Sequence, residues 1–138
     1  MKVFLSHKGA NKEMVRQFDK LLRTMGYETW LDEDCMPAGV NLHRGIAEGF
    51  YQSCAAVFFI TKEFKDETYL ANEIDLAMAR HNEDGERFRI ITLLFDEEAV
   101  VPTLLKRFVW KSPTNALDAA TEIIRALPIE TGVVRSRQ

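Results

Sequence analysis

Glu73, a carboxylate in the first turns of an expected helix, is the residue whose type and position best suit chemistry in this chain. The spacing of Leu70, Ile74, Ala77, Met78 and His81 predicts a helix over about 68–81. At about 100° per residue, Glu73 falls beside Leu70 and Ala77, at the edge of the apolar stripe. A carboxylate there can stabilise a cation that develops during bond cleavage. Taken alone, a Glu there is more simply read as an acidic first-turn residue favoured by the helix dipole. Burial would raise its pKa and the dipole would lower it, so the sequence leaves its charge state open.

Other groups of reactive residues fail the spacing that their chemistry needs. Asp32, Glu33 and Asp34 suggest a calcium loop, but Pro37 interrupts it and His43 stands at the twelfth position, where a bidentate Glu is required. Cys35, Cys54, His7, His43 and His81 show neither metal-ligand spacing nor a nucleophile and base, and no GxSxG elbow occurs. Neither GxGxxG nor a P-loop is present. A phosphate loop of flavodoxin type is conceivable over Ser6–Asn11, where small and polar residues lead into a helix. A phosphoacceptor receiver would need an Asp after the third strand, and this chain has Thr61-Lys62 there.

The elements that must position these residues alternate in type. Lys2–Leu5 reads as a strand. Met14, Val15, Phe18, Leu21, Leu22 and Met25 then recur at helical spacing, with Asn11 as N-cap and Gly26 as stop. Tyr27–Leu31 is a second strand, followed by a loop in which Pro37 and Gly39 suit a type I turn. A helix is expected from about Leu42 to Gln52, weakened by Gly45 and Gly49. Ala55–Ile60 is apolar without alternation, as in a strand covered on both faces. After the Glu73 helix come a loop over His81–Glu86 and a strand over Arg89–Leu94. An irregular stretch around Pro102 leads to a short strand at Phe108–Trp110 and a final helix from Ala116 to Leu127, introduced by Ser112-Pro113. This order predicts an α/β, flavodoxin-like three-layer sandwich: a five-stranded parallel sheet, order 2-1-3-4-5, with helices on both faces. Such sheets bind ligands beyond the C-terminal strand ends, near the switch between strands one and three. Ser6–Asn11, Asp32–Leu42 and Thr61–Glu73 should surround that crevice.

The 138 residues fit one domain, over 1–128, with 129–138 a tail or the start of a linker. A net charge of −3 and a pI near 5.6 argue against a nucleic-acid surface. No apolar run approaches a membrane span and no signal peptide opens the chain, so a cytoplasmic domain is expected, without metal, cofactor or membrane contact.

Several segments in order resemble the TIR (Toll/interleukin-1 receptor) domain. Val3-Phe4-Leu5-Ser6-His7 is similar to its first box. Tyr27 to Asp32, the loop through Pro37-Ala38-Gly39 and the helix up to Ser53 are similar to the segments that follow. Thr68-Tyr69-Leu70-Ala71-Asn72-Glu73 resembles the pattern Ser-x-Trp-Cys-x-x-Glu, with the spacing to Glu kept and Thr68, Tyr69 and Leu70 departing from it. Phe108-Val109-Trp110 resembles the third box.

The resemblance implies cleavage of NAD at the nicotinamide–ribose bond, with Glu73 as the essential carboxylate. NAD would be a substrate rather than a cofactor. Ser6, His7, Lys8, Trp30, Asp32 and Tyr69 would then line the substrate site. Four of them also have a plainer reading: Lys8 as a solvated loop residue, Trp30 and Tyr69 as packing residues, and Asp32 as a partner for loop backbone. The loop bearing Asp34, Met36, Pro37 and Gly39 resembles the one through which TIR domains associate, in non-closing contacts that build filaments. Expected partners are therefore NAD, other TIR domains, and a sensor domain or partner protein, in prokaryotic immunity or virulence. The other reading is a non-catalytic adaptor that acts through TIR–TIR contact.

Overall fold

A computed structural model of the protein describes residues 2–6, 12–31, 38–39, 41–62 and 67–127, with backbone alone at 12, 42, 43 and 67–72. Strands β1 (Lys2–Ser6), β2 (Glu28–Leu31), β3 (Ala55–Ile60), β4 (Arg89–Leu94) and β5 (Trp110–Lys111) alternate with helices α1 (Lys12–Thr24), α2 (Leu42–Gln52), α3 (Glu67–Asp84) and α4 (Ala116–Ala126). The five strands form one parallel sheet in the order β2-β1-β3-β4-β5. This is the order expected from the sequence.

β3 is central because it can be: all six of its residues are buried. Alternation along β1 and β3 divides the interior into two layers. Val3, Leu5, Val57 and Phe59 pack with Val15, Phe18 and Leu22 of α1 and Ala120 and Ile123 of α4. Phe4, Phe58 and Ile60 pack on the other face with Ile46 and Phe50 of α2 and Ile74 and Ala77 of α3. Helices thus cover both faces, as the apolar run of β3 requires.

Local signals set most boundaries. Gly26, at φ +97°, ends α1 in a Schellman arrangement: its N–H bonds the Arg23 carbonyl at 3.0 Å and the Tyr27 N–H bonds that of Leu22 at 3.0 Å. Gly49, expected to weaken α2, has a packing role. A Cβ there would lie 2.6 Å from Cδ2 of Trp30, so the absent side chain lets the helix backbone approach the indole.

Apart from shifts of one residue, three features differ from the sequence reading. α3 continues through His81 to Asp84, held by an Arg80–Asp84 ion pair one turn apart and by His81 Nδ1 against the Phe88 carbonyl at 2.9 Å. β5 begins at Trp110 rather than Phe108, because the Phe108 N–H closes the turn over Thr103–Arg107 by bonding the Leu105 carbonyl at 3.1 Å. The N-cap of α4 is Asn115, not Ser112-Pro113: its side-chain oxygen accepts from the Asp118 N–H at 2.8 Å. Among the described residues, no helix is long and apolar enough to cross a membrane.

Candidate functional site

β1 delivers Ser6 to the C-terminal rim of the sheet. Alternation gives Ser6 the face of Phe4, toward α2 and α3, at the register position opposite Phe58. The neighbours of β1 are β2 on one side and β3 on the other, so Ser6 stands at the topological switch point where crevices open in sheets of this kind.

α3 brings Glu73 to the same place. Glu73, Ile74 and Ala77 turn inward together, with exposures of 0%, 5% and 0%. The carboxylate is therefore fully enclosed, where helical phase alone put it at the stripe's edge. Burying a carboxylate is costly unless hydrogen bonds replace its water. The Ser6 hydroxyl supplies one, donating to Oε1 of Glu73 across 67 positions of sequence. A strand end and a helix front are thereby joined through a polar pair, in a layer built mostly of aromatic and aliphatic side chains.

Beneath the pair the packing is dense. Phe4 stacks on Phe50 at 3.9 Å between ring centroids and on Trp30 at 5.0 Å. Trp30, a candidate for substrate contact, is buried in this stack against the backbone at Gly49, as its packing reading has it. Each such aromatic pair contributes about 0.5–1.5 kcal/mol beyond the area it buries. The floor under Ser6 and Glu73 is accordingly stiff.

The backbone of Tyr69 lies in the first turn of α3, and its side chain is outside the described part. His7, Lys8, Asp32, Asp34, Met36 and Pro37 also lie outside the described residues. Gly39 is exposed in a turn with Ala38 at φ +91°, a conformation that suits glycine.

Arg80 was not singled out by the sequence reading. It lies seven residues after Glu73 and so on nearly the same face of α3. Its guanidinium donates to the carbonyls of Phe50 at 3.0 Å and Ser53 at 2.7 Å, capping the end of α2, and sits 4.8 Å from the Phe88 ring centroid. α2 and α3 are thereby tied on the face that carries the polar pair. The signal was a charged residue at a position that helical periodicity assigns to the buried side.

Comparisons with known proteins bear on the family and the fold. A family model described as TIR domain matches residues 3–126. The probable 2' cyclic ADP-D-ribose synthase TcpO of Methanobrevibacter olleyae is 29% identical over 126 residues, which cover 91% of this chain and 33% of that protein. The chain thus spans about a third of the length of this curated relative. Among solved structures, the TIR domains of the activated Roq1 resistosome, which directly recognises the pathogen effector XopQ, align with a TM-score of 0.53 at 19% identity, over 99% of this chain and 74% of that one. That likeness is one of fold. A match covering nearly the whole chain, on a sheet of the expected strand order, shows that this protein belongs to the TIR-domain family.

Proposed function

We propose that this TIR domain cleaves NAD between nicotinamide and ribose, with Glu73 as the catalytic carboxylate, and that self-association switches it on. The observation that carries the reading is the buried Ser6–Glu73 pair at the switch point of the sheet.

The chemistry suits a single carboxylate. Most glycosidases need a second carboxyl group because the leaving oxygen must be protonated. Nicotinamide leaves from a positively charged nitrogen: the C–N bond breaks, its electron pair stays on the ring nitrogen, and a neutral base departs. What needs stabilising is the oxocarbenium ion left on the ribose, and an anionic oxygen held beside it does so electrostatically. Ser6 fixes the rotamer of Glu73 through Oε1. Water capturing the cation gives ADP-ribose and a proton; a hydroxyl of the same molecule gives a cyclic product. The cyclic ADP-ribose synthase activity in the relative's name favours looking for the second.

Enclosure of Glu73 supports a resting state that assembly opens. The ribose reaches the carboxylate only once the neighbouring segments move, and contacts through the Asp32–Leu42 loop are the event to which we assign that movement. Clustered protein should release nicotinamide from NAD, and Glu73→Gln should abolish release while leaving the fold intact. Mass spectrometry of the products separates ADP-ribose from its cyclic isomers. The same enclosure favours a second reading, an adaptor in which the pair only braces α3 on β1. Absence of nicotinamide from clustered protein that still binds another TIR domain would decide for the adaptor.

A further inference from the structure

The Ser6–Glu73 pair has the form of a nucleophile beside its base. The Ser6 hydroxyl donates to Oε1 of Glu73, so its proton already points at an oxygen able to take it. A serine hydroxyl becomes a nucleophile when a neighbouring base removes that proton. Both groups are shut away from bulk water, with exposures of 2% for Ser6 and 0% for Glu73. A ribose that reaches the carboxylate therefore also reaches the hydroxyl bonded to it.

Placement singles out Ser6 among the hydroxyls of this layer. Among the described residues, Thr92 is the other strand hydroxyl buried on the face toward α2 and α3. It lies in the same row, opposite Phe58, which is itself opposite Ser6. Two strand spacings, about 10 Å, separate the two residues, and Phe58 stands between them. A ribose carbon held against Oε1 of Glu73 is thus beside the oxygen of Ser6 and not that of Thr92.

We propose that Ser6 is a site of self-modification: its hydroxyl captures the ribosyl cation, and the domain becomes ADP-ribosylated on Ser6. This inference rests on the NAD-cleaving reading. The bond from the anomeric carbon to nicotinamide breaks, and its electron pair stays on the ring nitrogen. A lone pair of the Ser6 oxygen forms the new bond to that carbon. The serine proton passes to Glu73 and then to solvent, so one neutral nicotinamide and one proton leave per modified chain. NAD is the only reactant besides the protein.

A nucleophile fixed beside the cation competes well with water, because well-oriented neighbouring groups act at effective concentrations of about 10⁵–10⁸ M. The acceptors that rival it are hydroxyls of the substrate itself. The attached ribose then fills the space beside Glu73, and an O-glycosidic bond to serine survives neutral water. Each modification ends turnover at one site, so the residue that holds Glu73 in place also limits how long the site works.

The test incubates the clustered whole chain with NAD and measures two things in one sample: free nicotinamide, and the mass of the protein and its peptides. One ADP-ribosyl group per chain should accumulate on Ser6 and resist neutral hydroxylamine, which would cleave an ester formed on Glu73. The rate of nicotinamide release should fall in proportion to the modified fraction. Ser6→Ala should start more slowly, since Glu73 loses its partner, but should carry no adduct and show no decay of rate. Should that variant fail to fold, mapping of the adduct in the unaltered chain decides alone. Nicotinamide release with no ADP-ribose on Ser6 overturns the proposal and leaves the NAD-cleaving reading standing. Absence of nicotinamide release overturns that reading, and the self-modification with it.

Discussion

The two faces of the sheet use the same strands differently. Toward α1 and α4, β1, β3 and β4 present Val3, Leu5, Val57, Phe59, Ile91 and Leu93, an apolar surface closed by apolar helices. Toward α2 and α3 the same strands present Phe4, Phe58, Ile60 and Ile90, but also Ser6 and Thr92, and α3 answers with Glu73. The first layer keeps its polar contact, Thr29 to Asp19, out at the edge strand β2; the second sets an enclosed polar pair on the inner strand β1. Fold and site can therefore be disturbed separately, and the face on which a substitution lies should decide which quantity it moves.

Substitutions at matched depth test that division. Phe59→Ala, in the apolar layer, should have the largest effect on stability, about 3–5 kcal/mol in urea unfolding, because the cavity adds to the lost transfer energy. Any folded fraction should keep its activity per molecule. Glu73→Gln should lower nicotinamide release by clustered protein about 10²–10³-fold, the scale of removing one aimed electrostatic group, with the unfolding midpoint little changed. If the two layers do not differ in function, both variants will move stability and neither will move turnover per folded molecule.

Gly49→Ala tests how closely α2 rests on the sheet. The new methyl group would meet the Trp30 ring 2.6 Å from Cδ2, so either helix or indole must shift, at a cost of about 1–3 kcal/mol. A neutral result would mean that α2 is free to lift away from Trp30. Ser6→Ala should cost about 1–2 kcal/mol of stability for one lost hydrogen bond to a buried partner. Its diagnostic value lies in kinetics: a fall in kcat with KM unchanged marks Ser6 as a residue that positions Glu73, whereas a change in stability alone marks the pair as a brace.

The architecture was legible because strong local patterns lay at each step. The unbroken apolar run at Ala55–Ile60 required a central strand, and the spacing of Val15, Phe18 and Leu22 required a helix beside it. Gly26 stopped that helix for a reason visible in the sequence alone, its freedom at positive φ. Elements whose limits depend on distant partners were less legible. Phe108 has the composition of a strand residue, yet its N–H is used by the preceding turn and its ring meets that of His81 nearly at right angles, with the centroids 4.8 Å apart. Asn115 caps α4 through a bond that competes with any earlier start.

In the candidate site, the sequence singled out Glu73 and Ser6 but not their union. Helical phase cannot report that a serine on another element stands ready to replace lost water, and without that partner full burial would have been an improbable cost. Arg80 shares the inward phase of Glu73, but nothing in the pattern of α3 tells that the carbonyl end of α2 lies within its reach.

Enclosure of Glu73 also makes the carboxylate a reporter. A water-soluble carbodiimide couples amines only to carboxyl groups that it can touch, so in the resting protein Glu48, exposed on α2, should be labelled while Glu73 is spared. Labelling at Glu73, followed by peptide mass spectrometry as the protein is clustered, times the opening of the crevice without any turnover. Equal labelling of both residues in dilute protein would show that the pocket breathes freely and needs no assembly to admit a ligand.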